Sequence, residues 1–432
     1  FLIGTAAAAV TAGFLGLSKT AYREIRKAFY SAEGYGPLLT DPDKLLDLPR
    51  GFQYKVISKV GKKMSDGLLT PGLPDGMAAF SAEDGRTIII RNHEQTPDQK
   101  SPYGKKMEFL GKIDPNKFYD YGNGITPSIG GTTTLVYNTK TQELERDYLS
   151  LAGTVRNCAG GPTPWNSWIT CEETVFKKGR HKKENGGGVD FHFDQDHGYN
   201  FEVPASSTIQ LADPVPLIEM GRFNHEAVAV DPETGIVYQT EDRPDGLIYR
   251  FIPKTKGKLQ DGGKLQALKF IDGTRDTRNW LDQSVTTGNI YKIDWVDMED
   301  VTSPKDDLRQ RGSAAGAAIF ARGEGMWLGE DGIYFACTNG GKASLGQIWR
   351  LIPGKNGDSD CIELFIEPNH SELVHNADNL TAAPWGDLIV CEDRKGPTVR
   401  LVGVTPEGKL YTFANSQLNT EFAGACFSPD GS

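Results

Sequence analysis

A β-hairpin pattern that recurs six times constrains this sequence more than any other feature. Each copy has a short apolar run, a turn near its middle, a second apolar run and, in most copies, a polar or acidic residue at its end. An antiparallel hairpin brings its two ends together, so hairpins repeated around a ring gather their first residues on one face. The pattern predicts an all-β fold, a six-bladed β-propeller. The copies span residues 77–92, 158–173, 226–242, 324–339, 378–393, and 421 to the end.

The spacing of the hairpins predicts where the ring carries insertions. A four-stranded blade needs about 40–50 residues, and the last two intervals, from Glu324 to Asp378 and from Asp378 to Glu421, fit a bare blade. The earlier intervals are longer and contain segments 104–131, 177–214 and 254–311, with residues 184–188 as a flexible part. Long insertions on a ring usually wall its binding face, so we expect these segments there. Fifty glycines and 24 prolines agree with an all-β chain.

The two ends of the chain predict export and an incomplete sequence. Residues 1–17 are apolar and shorter than the ~20 residues of a membrane span, which favours the core of an export signal, of twin-arginine type without its Arg-Arg. An amphipathic or anchoring helix is the alternative. Residues 18–50 form a helical and connecting segment, and residues 51–432 form the propeller. The last hairpin stops at the turn 428–432, so we expect truncation at both ends and a periplasmic or cell-surface protein without a membrane span in its mature form.

The net charge argues against nucleic-acid binding, and the cysteine positions argue against a disulfide framework. A net charge of −10 argues against a nucleic-acid partner. Six cysteines in an exported protein suggest disulfides. However, Cys171, Cys337 and Cys391 occupy one column on different blades and are too far apart to pair. We expect them to be small buried side chains.

The first residues of the hairpins predict a metal site. Carboxylates that converge in a channel repel one another and are costly to bury without cations. Ca²⁺ suits carboxylate and amide oxygens, whereas a thiolate favours softer or higher-valent transition metals. The set predicts a mixed cluster, with iron or zinc near the cysteine and Ca²⁺ nearby. Its members are Cys158, Glu226, Glu324, Asp378 and Glu421.

The last residues of the hairpins form a second candidate column. Here the residues alone leave adjacent acids unresolved, and loop hydrogen bonds and salt bridges are the competing interpretation. The candidates are Asn92, Glu172 or Glu173, Glu241 or Asp242, and Glu392 or Asp393.

Arg322 is the candidate for binding an oxyanion. It lies two residues before Glu324, and side chains two apart on a strand point the same way. A guanidinium there could hold two oxygens of a phosphate or sulfate. An ion pair with Glu324 is the alternative, and Arg222 is a second, weaker candidate. His93 and His225 adjoin the two columns.

These residues resemble the signature of the PhoX-type alkaline phosphatases, from about residue 35 to the end. The resemblance implies a monomeric, twin-arginine-exported six-bladed propeller that cleaves phosphate monoesters, with iron (Fe³⁺) and calcium ions bridged by an oxo group. The matching residues are Asn157-Cys158-Ala159-Gly160-Gly161, Thr170-Cys171-Glu172-Glu173, Asn224-His225-Glu226, Arg322-x-Glu324-Gly325, and Phe427-Ser428-Pro429-Asp430-Gly431.

The resemblance also implies roles for individual residues. By position, Cys158 is similar to the thiolate ligand of iron, and Glu226 and Glu324 to the ligands that bridge iron and calcium. Asp378 and Glu421 resemble further ligands, and Arg322 resembles the clamp on the substrate phosphate.

The resulting hypothesis is an alkaline phosphatase that uses a metal-bound oxo or hydroxide as its nucleophile, with Arg322 on the phosphoryl oxygens. One alternative is a calcium-dependent propeller hydrolase, of phosphotriesterase or lactonase type, which needs no thiolate and would not need Cys158. Another is a non-catalytic propeller that binds calcium for stability.

Overall fold

The chain enters the fold through a helix and two short strands that attach to its last blade. The computed structural model describes residues 19–124, 127–181, 191–355, 358–394 and 396–431. The predicted export segment 1–17 and the predicted flexible residues 184–188 lie outside the described residues. Helix α1 (Lys19–Tyr30) buries Tyr30 and is followed by strands β1 (Leu38–Leu39) and β2 (Leu46–Pro49).

The strands that follow fold into antiparallel blades. The first blade contains β3 (Pro74–Ser81), β4 (Arg86–His93), β5 (Gly130–Asn138) and β6 (Glu143–Thr154). The second contains β7 (Asn157–Pro162), β8 (Ser167–Glu172) and, after the separate pair β9 (Gly179–His181) and β10 (Phe191–Phe193), β11 (Asn200–Pro204). The third contains β12 (His225–Val230), β13 (Val237–Glu241), β14 (Ile248–Pro253) and β15 (Gly263–Phe270).

The remaining elements follow in chain order. They are β16 (Ile290–Asp297) and helix α2 (Leu308–Ala315). The fourth blade contains β17 (Gly323–Leu328), β18 (Ile333–Cys337), β19 (Gln347–Ile352) and β20 (Cys361–Ile366). The fifth contains β21 (Ala377–Ala382), β22 (Leu388–Glu392), β23 (Val399–Val404) and β24 (Leu410–Ser416). Short 3₁₀ turns cover Glu83–Gly85, Leu110–Lys112, Pro115–Lys117, Gly122–Gly124, Ile218–Met220 and Leu259–Asp261.

The inner strands form a ring in sequence order, as the hairpin repeat predicted. Strands β3, β7, β12, β17 and β21 each contact the next. Between β21 and β3 runs the irregular segment 421–427, where the amide of Gly424 donates to Asn379 Oδ1 over 3.1 Å. A Cβ on Gly424 would lie 2.3 Å from the carbonyl oxygen of Asp75. The fold is a β-propeller in which five inner strands and segment 421–427 line a small central space.

Apolar side chains fill the spaces between neighbouring blades. Tyr238, Phe335 and Trp349 pack between the third and fourth blades, and Phe80, Trp168 and Phe201 between the first and second. Burial of a large apolar side chain contributes about 1.5–3 kcal/mol. This packing fixes the angle between blades and therefore the distance between their inner ends.

Two expectations about the connecting segments were wrong in detail. The insertion expected at 177–214 contains β11, and that at 254–311 contains β15, because the hairpin repeat marks only the inner two strands of a blade. Strand β16 pairs with both β15 and β20, which joins the third and fourth blades into one sheet. Strand β2 pairs with β24, so part of segment 18–50 belongs to the fifth sheet.

A β-bulge interrupts each inner hairpin where its first strand begins. Between the pairs Asn157↔Glu172 and Gly160↔Thr170, two residues of β7 face one residue of β8. The same two-against-one count recurs in the other four blades. A bulge bends the strand and redirects its side chains. The first bulged residues are Asp75, Cys158, Glu226, Glu324 and Asp378.

The first hairpin was therefore placed two residues too late in the sequence. Its bulge begins at Asp75, and Met77 occupies the position of Met326 in the fourth blade. The glycine after the bulged acid is required by close approach. A Cβ on Gly76 would lie 2.6 Å from Ala159 Cα, and one on Gly325 would lie 2.6 Å from the amide nitrogen of Leu380.

Candidate metal centre

Two adjoining groups of ligands lie at the inner ends of the blades. Sγ of Cys158 and carboxylate oxygens of Glu173 and Glu226 lie within 4.8 Å of one another. Carboxylate oxygens of Glu226, Glu324 and Asp378 do the same. Glu226 belongs to both groups, so the third blade links a thiolate-containing group to an all-oxygen group.

These distances and donor atoms fit metal ions. An ion about 2.3–2.6 Å from each of two ligand atoms holds atoms up to about 5 Å apart. Carboxylates alone suit a hard cation such as Ca²⁺, and a thiolate beside carboxylates suits a transition metal. The two groups therefore have the chemistry of two different metal positions that share one carboxylate.

Without bound cations, burial disfavours the ionised forms of these carboxyl groups. Burial and the neighbouring acids Glu173 and Asp378 raise the pKa of Glu226 well above its usual range. Burial and Asp242 do the same to the pKa of Glu324, although Arg322 opposes the shift.

The pKa values of Glu173, Asp378 and Cys158, which lie beside these two acids, are raised in the same way. Burial and Asp242 raise the pKa of Glu173 to about 8, against the opposing effect of Arg156, and burial and Asp393 raise that of Asp378 to about 7. Burial also raises the pKa of the Cys158 thiol.

The residues directly after the second strand of each hairpin include Glu173 of the first group. Their positions are fixed by one backbone hydrogen bond that recurs in five blades. The amide of Glu173 donates to the carbonyl of Arg156 over 2.9 Å, and the other blades repeat the bond over 2.9–3.1 Å. The donors are Glu94, Glu173, Asp242, Thr338 and Asp393, and the acceptors are Leu73, Arg156, Asn224, Arg322 and Asn376.

Arg322 contacts three acids of the site, namely Asp242, Glu324 and Asp393. Its Nε and Nη2 lie 2.7 and 2.9 Å from the two oxygens of Asp242. Nη2 also donates to Glu324 over 2.7 Å, and Nη1 lies 3.9 Å from Asp393. The ion pair considered for Arg322 is therefore present. The side chain keeps 31% of its surface exposed, and we call this partly exposed edge of the site its mouth.

The structure does not bring Glu172 into the cluster. Successive residues of a strand point to opposite faces, so Glu173 faces the axis while Glu172 faces the blade interior. Glu172 accepts hydrogen bonds from the amides of Val155 and Gly198 over 2.9 and 2.8 Å, and its Oε1 lies 2.7 Å from His197 Nδ1. The alternative expectation, that these residues make local hydrogen bonds and salt bridges, therefore holds for Glu172.

The same correction applies to Glu241 and Glu392. Glu241 accepts from Tyr249 OH over 2.9 Å and from the amide of Leu247 over 3.2 Å. Glu392 accepts from the amide of His375 over 2.8 Å and from Nε of Arg400 over 3.0 Å. Their neighbours Asp242 and Asp393 contact Arg322 instead.

Asn92 ties two blades together rather than facing the cluster. Its Nδ2 donates to the carbonyl oxygens of Ala159 and Cys158 over 2.6 and 3.2 Å. Its Oδ1 accepts from Trp168 Nε1 and Thr170 Oγ1, both over 2.8 Å. Because both ends of the amide are occupied, Asn92 fits a structural role.

Glu421 and Arg222 are also placed differently from expectation. Glu421 is exposed in an irregular segment and belongs to neither group of ligands. Arg222 is buried and donates to carbonyl oxygens, among them His197 O over 2.8 Å and Ser303 O over 3.1 Å. These bonds hold loops in place and leave Arg222 away from a substrate.

The histidines beside the columns have structural surroundings. His93 Nδ1 lies 2.8 Å from the carbonyl oxygen of Gly72, and its Nε2 lies 2.9 Å from Thr133 Oγ1. His225 stacks on Phe223 with ring centroids 3.6 Å apart.

Sequence reasoning missed Asp75. Asp75 is the first bulged residue of its hairpin, the position that Cys158, Glu226, Glu324 and Asp378 hold in the other blades. Burial and the nearby acids Glu94 and Asp378 raise its pKa well above the usual range. A signal was available, since Asp75-Gly76-Met77 repeats the acid-Gly-Met order of residues 324–326.

Comparison with known proteins places the chain in context. The sequence model of the family described as alkaline phosphatase PhoX matches residues 33–432. Pseudomonas fluorescens PhoX, solved with the transition-state analogue vanadate, is 17% identical, with a TM-score of 0.65 over 91% of this chain and 90% of that chain. A Xanthomonas campestris gluconolactonase is 12% identical, with a TM-score of 0.39 over 92% of each chain. The comparison with curated proteins gives no match.

Among the described residues, no helix combines the length and apolarity of a membrane span.

Stability without metal should fall as pH rises. In the unfolded chain Glu173 and Asp378 have pKa values of about 4, whereas in the fold their pKa values are about 8 and about 7. The folded protein therefore binds more protons than the unfolded chain between about pH 4 and pH 8, and the stability from the neutral carboxyls is lost across that window. We expect the Tm of chelated protein to drop by several degrees from pH 5 to pH 9, and added metal to restore it. A chelated Tm that stays level or rises over this range contradicts the interpretation.

Two neighbouring acids provide a matched pair of variants. Glu173→Gln should lower the bound metal measured by elemental analysis, because it removes an anionic ligand. Glu172→Gln should keep the metal and cost about 3 kcal/mol in the free energy of unfolding, because it breaks a buried pair with His197. The reverse pattern, with metal lost in Glu172→Gln alone, would overturn the assignment of the two faces.

Proposed function

This chain belongs to the alkaline phosphatase PhoX family, and from that premise we propose that it hydrolyses phosphate monoesters at a two-metal centre. The observation that carries the proposal is Glu226, whose carboxylate takes part in both ligand groups. Glu324 of the all-oxygen group contacts the partly exposed Arg322, so an anionic substrate that reaches this arginine also reaches the paired cations. The products are an alcohol and inorganic phosphate.

The donor atoms suggest which metal each group binds. We assign iron, as Fe³⁺, to the group of Cys158, Glu173 and Glu226, because its thiolate suits a transition metal. We assign Ca²⁺ to the group of Glu226, Glu324 and Asp378, because its ligands are all hard oxygens.

Each residue near the mouth has a defined task in this proposal. The bound cations supply Lewis acidity toward the phosphoryl oxygens and a nucleophile at alkaline pH. Arg322 binds the non-bridging phosphoryl oxygens through its guanidinium and stabilises the charge that they carry in the transition state. Asp242 holds that guanidinium from the opposite side by its two-point contact. The side chain is thus oriented before the substrate arrives.

The calcium-dependent lactonase or phosphotriesterase interpretation is not favoured. Such a site has no use for a thiolate, whereas Cys158 lies among the carboxylates of the first group. The family match also covers the chain from residue 33 to residue 432.

Two variants test the assigned roles. Purified protein should hydrolyse p-nitrophenyl phosphate in the presence of Ca²⁺, and a chelator should abolish the activity. Arg322→Ala should lower kcat/KM by about 100- to 1,000-fold, because it removes a donor to the charged transition state. Cys158→Ser should lower the iron content that elemental analysis finds in the protein as isolated.

Matched controls separate these effects from general damage. Arg86→Ala removes an exposed ion pair with Glu145, and Cys361→Ser changes a half-buried thiol outside the cluster. Both controls should retain turnover and metal. Full turnover in Arg322→Ala, or wild-type iron in Cys158→Ser, would refute the corresponding role.

A further inference from the structure

We propose that Arg156 is a second phosphate-binding residue, which contacts the phosphoryl group from the side opposite Arg322. The inference rests on the proposed function, since it assigns this residue to the phosphate of that same site. It makes the mouth of the centre a two-arginine site for a phosphoryl oxyanion.

The repeat places the two arginines at equivalent positions. Arg156 lies two residues before Cys158, and Arg322 lies two residues before Glu324. Both have left-handed backbone, with φ of 49° and 54°, and both accept the closing hydrogen bond of their hairpin. Their blades are the second and the fourth, so they flank the third blade and its shared ligand Glu226.

Both guanidiniums reach the acids of the cluster. Nη2 of Arg156 lies 2.7 Å from Glu94 Oε1 and donates to Glu173 Oε2. Glu173 belongs to the thiolate-containing group, as Glu324 belongs to the all-oxygen group. Each ligand group therefore has its own arginine at its outer edge.

Arg156 has donor capacity left for a ligand. Both of these contacts use its Nη2, and its Nε is buried without a hydrogen-bond partner in the described part of the chain. Arg322 instead uses both Nε and Nη2 on Asp242. A guanidinium suits the oxygens of a phosphate by its forked donors, and Arg156 keeps 37% of its side-chain surface exposed.

A purely structural role, as an ion pair for Glu94 and Glu173, is the competing interpretation. It predicts that loss of Arg156 changes metal content or stability and nothing else. A phosphate-binding role predicts weaker phosphate binding in protein that retains its metals. Phosphate affinity and metal content, measured on the same samples, separate the two.

The experiment compares Arg156→Gln and Arg156→Lys with the wild type and with Arg86→Gln, in which an exposed arginine is changed. Isothermal titration of metal-loaded protein with inorganic phosphate gives the affinity, and elemental analysis gives the metal content. With metal retained, we expect phosphate affinity to fall by about ten- to a hundredfold in Arg156→Gln, the range for a lost charged hydrogen bond. Arg156→Lys should keep the metals and still bind phosphate more weakly, because a lysine lacks the forked donors.

Wild-type phosphate affinity in an Arg156 variant that keeps its metals would overturn the proposal. If Arg156→Gln loses metal, the phosphate affinity of Arg156→Lys is compared with that of the wild type instead. Loss of metal in both variants would contradict the proposal, because it would show that Arg156 acts through the ions alone. The outcome is distinct from a failure of the proposed function. A wild-type protein that binds phosphate but hydrolyses no p-nitrophenyl phosphate would contradict the enzyme and leave the role of Arg156 standing.

Discussion

One backbone hydrogen bond, repeated in five blades, determines the geometry of the site. The amide that follows the second strand of each inner hairpin donates to the carbonyl two residues before the bulged ligand. Four of the acceptor residues, among them Arg156 and Arg322, take left-handed backbone, which costs about 1–2 kcal/mol for a residue with a side chain. The bond and the packing between blades offset that cost. The direction of the ligand side chains is therefore set by the backbone before any ion binds.

The main destabilising effect of this geometry is the burial of carboxylates that repel one another. It gathers more carboxylates than guanidiniums in a buried space, and burial with like-charge repulsion raises the pKa values of Glu226, Glu324 and their neighbours. Such a site is more stable with bound cations than without them. An anionic phosphoryl group can enter only after cations have reversed the sign of the local charge. Metal binding, stability and affinity for substrate are therefore coupled.

The sequence predicted the ring and the gathering of Cys158, Glu226, Glu324 and Asp378, because the hairpin repeat places them at equivalent positions. It failed where one or two residues decide the outcome. In a strand, a shift of one residue reverses the face, so Glu173 and not Glu172 reaches the axis. The sequence pattern does not reveal the β-bulges, so the first hairpin was placed two residues too late and Asp75 was missed. Glu421 lies in an irregular segment that the repeat could not place. Export by the twin-arginine route stays a prediction, since residues 1–17 lie outside the described structure.

The central claim is that two metal positions share Glu226, and anomalous diffraction from crystals of the protein as isolated tests it most directly. We predict two adjoining peaks in the anomalous difference map. One peak should lie within bonding distance of Cys158 Sγ and Glu226, and the other within bonding distance of Glu226 and Glu324. A map without peaks at these residues, or with peaks on the opposite strand face at Glu172 or Glu241, would contradict the account.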